Sequence, residues 1–148
     1  MTYRFDNLLV AVDGSDVSAS ALQWAIDFAK GRPAVLRLLH VYTPTLSGLV
    51  PDGVLIASVE SAVHLADAAQ RRLDALVSAH RDDGVRIEKL LREGIAHEEI
   101  LAEAEKTSAD LIVMGTHGRT GIAHAILGST AELVVRAAKV PVVTIRGA

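Results

Sequence analysis

Cysteine is absent from this sequence of 148 residues, which excludes disulfide bonds, thiolate metal sites and a cysteine nucleophile. Aromatic residues make up only 3% of the chain, and the formal net charge is −3. A nucleic-acid-binding surface needs basic patches or aromatic platforms on which bases stack. We therefore expect no nucleic-acid partner.

Long hydrophobic runs are also lacking. No apolar run approaches the roughly 18 residues of a membrane-spanning helix, and the first residues, MTYRFDN, lack the layout of a signal peptide. Half of the residues are nevertheless hydrophobic, and a chain of this length buries about 70% of its unfolded surface on folding. These features predict one soluble, cytoplasmic domain over residues 1–148 that does not bind a membrane.

Several short motifs of known chemistry are missing as well. The sequence contains no G-x-x-x-x-G-K-[ST], no G-x-G-x-x-G after a strand and no H-E-x-x-H. His117 and His124 are seven residues apart, which is no recognised metal spacing. We expect neither a zinc site nor a catalytic histidine.

Apolar runs typical of buried strands alternate with segments of helical periodicity. The predicted strands are Leu8–Val12, Val35–Val41, Val85–Leu91, Leu111–Met114 and Val142–Ile145. The predicted helices are Val17–Lys30, Leu55–Arg81, Ala96–Lys106 and Ser129–Ala138, with an irregular loop over Thr43–Val54. This order predicts an α/β fold: one doubly wound, five-stranded parallel sheet of the Rossmann-like type, with helices on both faces.

The segment Leu111–Glu132 has the pattern of an anion site. Gly115 and Gly118 follow its strand, and Gly128-Ser129 comes after nine further residues. Glycine lets the backbone approach an anion, and the first amides of a helix point free N–H groups at it. A capping box, Ser129-x-x-Glu132, is predicted at the helix start. A second interpretation is that the glycines only form a turn and Ser129 only caps the helix.

Three predicted strands end beside residues that could contribute to such a site. The first ends at Asp13, the second at Val41 and the fourth at Gly115, and open parallel sheets bind ligands beyond these carboxyl ends. Asp13 could accept hydrogen bonds from ribose hydroxyls or assist a metal, or it could stabilise its own turn. Arg119 could neutralise phosphate charge or be a solvated loop cation.

The spacing of Gly115, Gly118, Gly128 and Ser129 matches G-2x-G-9x-G-[ST], the signature of the ATP-binding branch of the universal stress protein family. The resemblance covers nearly the whole chain, because further segments look like family blocks in family order: Leu8–Ser15, His40–Tyr42, Asp110–Gly121 and Val140–Arg146. One departure is Thr130, where an aliphatic residue is more usual in the family.

The resemblance implies an ATP-binding regulatory protein of the stress response, with Mg²⁺ or Mn²⁺ bound through the phosphates. It implies these nucleotide-binding residues: Ala11, Val12, Asp13, Val41, Met114, Gly115, Gly118, Arg119, Gly128, Ser129 and Thr130. It also implies a homodimer through the C-terminal strand, Val142, Val143, Thr144 and Ile145, which would cover a free sheet edge. The alternatives are a slow ATP hydrolase or phosphotransfer enzyme, and a dimeric scaffold without nucleotide.

Overall fold

The computed structural model describes residues 2–43, 59–117 and 127–147. The strands are β1 (Asn7–Val12), β2 (Val35–Tyr42), β3 (Arg86–Glu93), β4 (Leu111–Gly115) and β5 (Val142–Ile145). The helices are α1 (Asp16–Ala29), α2 (Val59–Ala79), α3 (Ala96–Lys106) and α4 (Ser129–Ala137), with one 3₁₀ turn at Arg81–Asp83. The predicted loop after Thr43, the predicted start of the second helix at Leu55, and Gly118 and Arg119 lie outside the described residues.

All pairings in the sheet are parallel, and the strand order is β3-β2-β1-β4-β5. The chain moves outward from β1 to β3, and then returns to the other side of β1 with β4 and β5. The strand order therefore reverses between β1 and β4, which is where the crevice of a doubly wound sheet opens. The predicted α/β fold with a five-stranded parallel sheet is confirmed.

Helices cover both faces of this sheet, because the buried strands carry apolar side chains on both sides. Along β1, Leu8 and Val10 face a core formed with α1 and α2, whereas Leu9 faces a second core formed with α3 and α4. This alternation follows from the two-residue period of a strand. Among the described residues, no helix is both long and apolar enough to cross a lipid bilayer.

The capping box predicted at Ser129 is wrong. The N-cap of α4 is Gly128, with φ −71° and ψ 162°, no side chain caps the helix, and Ser129 is already its first residue. The backbone N–H of Gly128 donates to the carbonyl oxygen of Thr116, and this bond places the turn into the helix one residue earlier than the pattern predicts.

Candidate functional site

A cavity of about 410 Å³ opens at the carboxyl ends of β1, β2 and β4, beside the point where the strand order reverses. Nine of the eleven predicted site residues line it: Ala11, Val12, Asp13, Val41, Met114, Gly115, Gly128, Ser129 and Thr130. The structure therefore brings together every predicted site residue that it describes. That these residues bind a nucleotide stays a prediction.

Eight further lining residues were not predicted from the sequence: Ser18, Leu39, Ala96, Ile100, Thr116, His117, Leu127 and Ala131. Two simple periodicities could have found some of them. Leu39 lies two residues before Val41 and so shares its face of β2, and Ala96 and Ile100 are four residues apart on α3.

One end of the cavity is apolar. Leu39 and Val41 form its β2 wall, Met114 lies on β4, and Ile100 closes it from α3. Leu39, Ile100 and Met114 are at most 5% exposed. A flat heterocycle could pack here, since ligand cavities typically combine apolar walls with a few fixed polar groups.

Those polar groups include the backbone of Val41. The carbonyl oxygen of Tyr42 accepts the N–H of Gly94 at 3.0 Å, on the β3 side. Successive residues of a strand point their peptide groups to opposite sides, so the peptide groups of Val41 point towards β1. The pairing of β1 with β2 ends at Val12 and His40. The carbonyl of Val41 therefore lies beyond the end of this ladder, at the cavity.

Asp13 lies at the cavity and also stabilises its own turn. Its Oδ1 accepts the backbone N–H of Ser15 at 2.9 Å, and the intervening Gly14 has φ +84°. Because a carboxylate has two oxygens with about four acceptor sites, this bond leaves capacity for a ligand hydroxyl, including all of Oδ2. The two interpretations of Asp13 are therefore compatible.

The opposite end of the cavity is the N-terminus of α4. The first helical hydrogen bond runs from the N–H of Glu132 to the carbonyl of Gly128. The N–H groups of Ser129, Thr130 and Ala131 therefore have no partner within the helix, and all three residues line the cavity. Their aligned dipoles favour negative charge, whereas Asp13 supplies negative charge on the β1 side.

Thr116 joins this helix start to the sheet. It is buried, at 3% exposure. Its N–H donates to the carbonyl of Ile145 at 2.9 Å, its own carbonyl accepts the N–H of Gly128 at 2.5 Å, and its Oγ1 lies 2.8 Å from Nδ1 of His117. The sequence offered no signal for the two backbone bonds, because Gly128 and Ile145 are distant from Thr116 along the chain.

Both described signature glycines are needed for packing. A Cβ at Gly128 would lie 2.8 Å from the carbonyl oxygen of Thr116, and one at Gly115 would lie 2.7 Å from Cγ1 of Val17. Both distances are too short for a real contact. A side chain at Gly128 would thus overlap with the protein's own backbone, whether or not a phosphate is bound.

A protein-built metal centre is not found in the described part of the chain, where no three His, Asp or Glu side chains are grouped to hold an ion. Mg²⁺ commonly keeps several waters and binds through substrate phosphates with one or two carboxylates. The cavity residues are compatible with an ion held in that manner, and Asp13 is the one carboxylate among the described lining residues.

The model of the universal stress protein family matches residues 4–146. The chain belongs to this family. It is 35% identical to universal stress protein MJ0531 of Methanocaldococcus jannaschii over 145 residues, which cover 96% of this chain and 82% of that protein.

Two solved structures are informative. Protein MJ0577 superposes with a TM-score of 0.84 and 26% identity, covering 97% of each chain. A universal stress protein in complex with cAMP superposes with a TM-score of 0.61 and 25% identity, covering 96% of this chain and 97% of that one. A protein similar to this chain thus binds an adenine nucleotide.

Proposed function

We propose that this universal stress protein binds an adenine nucleotide, ATP in the first place, and acts as a regulatory protein of the stress response. The observation that carries the proposal is the layout of the cavity. Its apolar end adjoins the backbone of Val41, and its other end is the uncapped N-terminus of α4. These are the two environments that a base and a phosphate chain require.

This layout favours one orientation of the nucleotide. The adenine lies between the walls formed by Leu39, Ile100 and Met114, and its edge meets the backbone of Val41. The phosphates lie at Ser129 and Thr130, whose N–H groups have no partner within the helix. The ribose then lies near Asp13, because a carboxylate accepts hydroxyl groups and repels phosphates. Gly118 and Arg119 stay predicted members of the phosphate site.

A divalent cation, Mg²⁺ or Mn²⁺, is proposed to bind with the phosphates and to neutralise part of their charge. Slow ATP hydrolysis is a second candidate activity, because Asp13 is a carboxylate on the described cavity wall that could act as a base. In-line transfer needs a positioned nucleophile as well as charge stabilisation. A hydrolysis assay on the purified protein distinguishes a sensor from a slow enzyme.

We also propose a homodimer through β5. The strand lies at the edge of the sheet and pairs only with β4 in the described structure. Its four residues, Val142, Val143, Thr144 and Ile145, are half-buried in the single chain. A second copy of the strand would satisfy the free backbone groups of this edge. The cytoplasmic location predicted from the sequence stays a prediction.

Isothermal titration calorimetry with ATP and MgCl₂ tests nucleotide binding. Ser129→Glu is the decisive variant, since a glutamate at an exposed first helical position is favourable to the helix but repels phosphates. We expect micromolar binding of ATP by the unaltered protein and at least a tenfold loss in the variant, roughly 1.4 kcal/mol. Adenosine affinity should change little.

Ala102→Glu is the matched control, because it adds the same charge at an exposed position of α3. It should bind ATP like the unaltered protein. Absence of binding heat and of a thermal shift with every adenine nucleotide would refute the proposed function. Equal losses of ATP and adenosine affinity in Ser129→Glu would refute the placement of the phosphates at α4.

A further inference from the structure

Asp13 belongs to a closed set of hydrogen bonds with two serines. Its Oδ1 accepts the backbone N–H of Ser15 at 2.9 Å, and its own backbone N–H donates to Oγ of Ser18 at 3.2 Å. Oγ of Ser18 in turn donates to the carbonyl of Ser15 at 3.0 Å. The backbone and the side chain of Asp13 are thus both fixed relative to the first turn of α1.

Ser18 is an unusual member of this set because it is buried. It is 4% exposed, and it is one of three buried polar or charged residues in the described part of the chain. It also lines the cavity. Its hydroxyl donates its proton to the carbonyl of Ser15 and accepts the N–H of Asp13. The hydroxyl therefore stabilises the turn at Asp13.

Gly115 determines how closely this turn can approach β4. A Cβ at Gly115 would lie 2.7 Å from Cγ1 of Val17 and 3.3 Å from the backbone N of Ser18. The absence of a side chain there allows the first turn of α1 to pack against the end of β4. One glycine of the signature therefore contributes to the position of Ser18, and through Ser18 to that of Asp13.

We propose that Ser18 is a positioning residue that holds the Asp13 carboxylate for recognition of the ribose hydroxyls of a bound nucleotide. This inference rests on the proposed function and adds how the sugar is selected. With Oδ1 accepting the N–H of Ser15, Oδ2 can accept a ligand hydroxyl. The nucleotide site should therefore prefer a sugar with a vicinal diol over a deoxy sugar. The base and the phosphates contact other parts of the cavity, so they should not affect this preference.

The test compares ATP with 2′,3′-dideoxy-ATP by calorimetry, in the presence of MgCl₂. The unaltered protein should prefer ATP by roughly tenfold, the contribution expected of one hydrogen bond to a charged group. Ser18→Ala should lose most of this preference, and its affinity for the dideoxy nucleotide should change less than about twofold. Asp13→Ala should lose the same preference, because the two residues act through one contact.

Ser18→Ala is a mild change to the fold. The carbonyl of Ser15 keeps a second donor, the N–H of Ala19 at 3.0 Å, so the Asp13 N–H is the group that loses its acceptor. Ser18→Cys preserves volume while weakening the hydrogen bonds, and it carries the test if the alanine variant does not fold. Ser20→Ala is the matched control, since the hydroxyl of Ser20 donates to the backbone carbonyl of Asp16 on the exposed side of the same helix.

The outcomes separate this inference from the proposed function. If the unaltered protein binds neither nucleotide, the proposed function fails. If it prefers ATP and a folded Ser18→Ala or Ser18→Cys variant keeps that preference, Ser18 does not position Asp13 and the inference is overturned. A loss of preference in Ser18 variants, with Ser20→Ala unchanged, supports it. Equal loss of both nucleotides would indicate a general structural role and would also overturn it.

Discussion

The backbone N–H of Gly128 donates to the carbonyl oxygen of Thr116 across 2.5 Å. The two residues flank a segment of eleven residues that contains Gly118 and Arg119. Because Thr116 also donates its N–H to Ile145, the start of α4 is connected through one residue to the end of β5. The glycine at position 128 therefore joins the two ends of this segment as well as capping a helix.

Gly128→Ala should destabilise the protein. The added Cβ would lie 2.8 Å from the carbonyl oxygen of Thr116, and relieving this overlap should lower the free energy of unfolding by about 1–3 kcal/mol. Urea denaturation measures the loss. Alanine is also a poorer N-cap than glycine, so hydrogen exchange of the amide at position 128 should be followed too. It should become faster in the variant.

Ser129→Ala is the control for this prediction. Ser129 is exposed and its side chain does not cap α4, so we expect its stability to change by less than about 0.5 kcal/mol. An unchanged exchange rate at position 128 in Gly128→Ala would contradict the closing role of the Gly128–Thr116 bond, whatever the change in stability.

Local patterns predicted the elements of this fold well. The apolar run Leu111–Met114 is a buried strand because both of its faces are covered, and such strands are recognisable without knowledge of their neighbours. The alternation of strands and helices then limits the topology, since parallel strands need crossover connections. The cavity follows from this topology, because Asp13, Val41 and Gly115 lie at or next to the carboxyl ends of neighbouring strands.

The reasons for individual residues could not be read from the sequence. The distance that makes Gly115 necessary is to Val17, almost a hundred positions away, and Ser18 acts on Asp13 only because α1 starts in one particular direction. The N-cap at Gly128 depends on a hydrogen bond to Thr116. Contacts of this kind arise from packing and override a local motif such as the capping box.

Arg92 should stabilise a buried carboxylate. Nε of Arg92 lies 2.6 Å from Oε1 of Glu103, whose side chain is 4% exposed, and Oε2 has no hydrogen-bond partner within the described residues. Removing one member of such a pair leaves a buried charge. Arg92→Met should lower the free energy of unfolding by about 2 kcal/mol. The loss should be smaller than for a fully buried pair, because Nζ of Lys106 remains 3.6 Å from Oε1 of Glu103.

The double variant Arg92→Met/Glu103→Met provides the control. It removes both charges, and we expect it to recover most of the stability that Arg92→Met loses. Urea denaturation of the two variants and of Glu103→Met completes a double-mutant cycle. Additive effects in this cycle would show that the two side chains do not interact, and would contradict the prediction.

The pKa of Asp74 should be below its ordinary value of 3.8. The main cause is the hydrogen bond from Lys89, whose Nζ lies 2.5 Å from Oδ1, and Gln70 adds a second bond. A depressed carboxyl pKa gives stability that is present above the unfolded pKa and is lost as the pH falls through the folded value. The Lys89 pair should therefore stabilise the protein at pH 6, and this contribution should decrease as the pH is lowered below 3.8.

An NMR titration of the Asp74 side-chain carboxyl carbon measures this shift. Lys89→Met should raise the pKa of Asp74 towards 3.8, whereas Lys89→Arg should keep it low because the cation is retained. An identical titration curve in the unaltered protein and in Lys89→Met would contradict the assignment to Lys89. The side chains of both residues are more than 40% exposed, so added salt should weaken the effect.

Thr144→Pro should prevent pairing of β5 with a second copy. The carbonyl of Pro141 accepts the N–H of Ile112 in β4, and that of Ile145 accepts the N–H of Thr116, just after β4. The peptide groups of Val142 and Thr144 therefore point to the free edge. Proline at position 144 removes one outward N–H and leaves the β4 ladder in place, as edge strands tolerate. Sedimentation should show a dimer of the unaltered protein at micromolar concentration and a monomer of the variant.

Thr144→Ala is the control for this experiment, because it changes the side chain and keeps the outward N–H. It should sediment as a dimer. Circular dichroism must show that Thr144→Pro is folded, since Thr144 also pairs with Met114 on β4. A folded Thr144→Pro variant that remains dimeric would place the interface elsewhere, and a monomeric unaltered protein would remove the dimer. If the dimer does form through β5, the bond from Ile145 to Thr116 connects its interface to the start of α4.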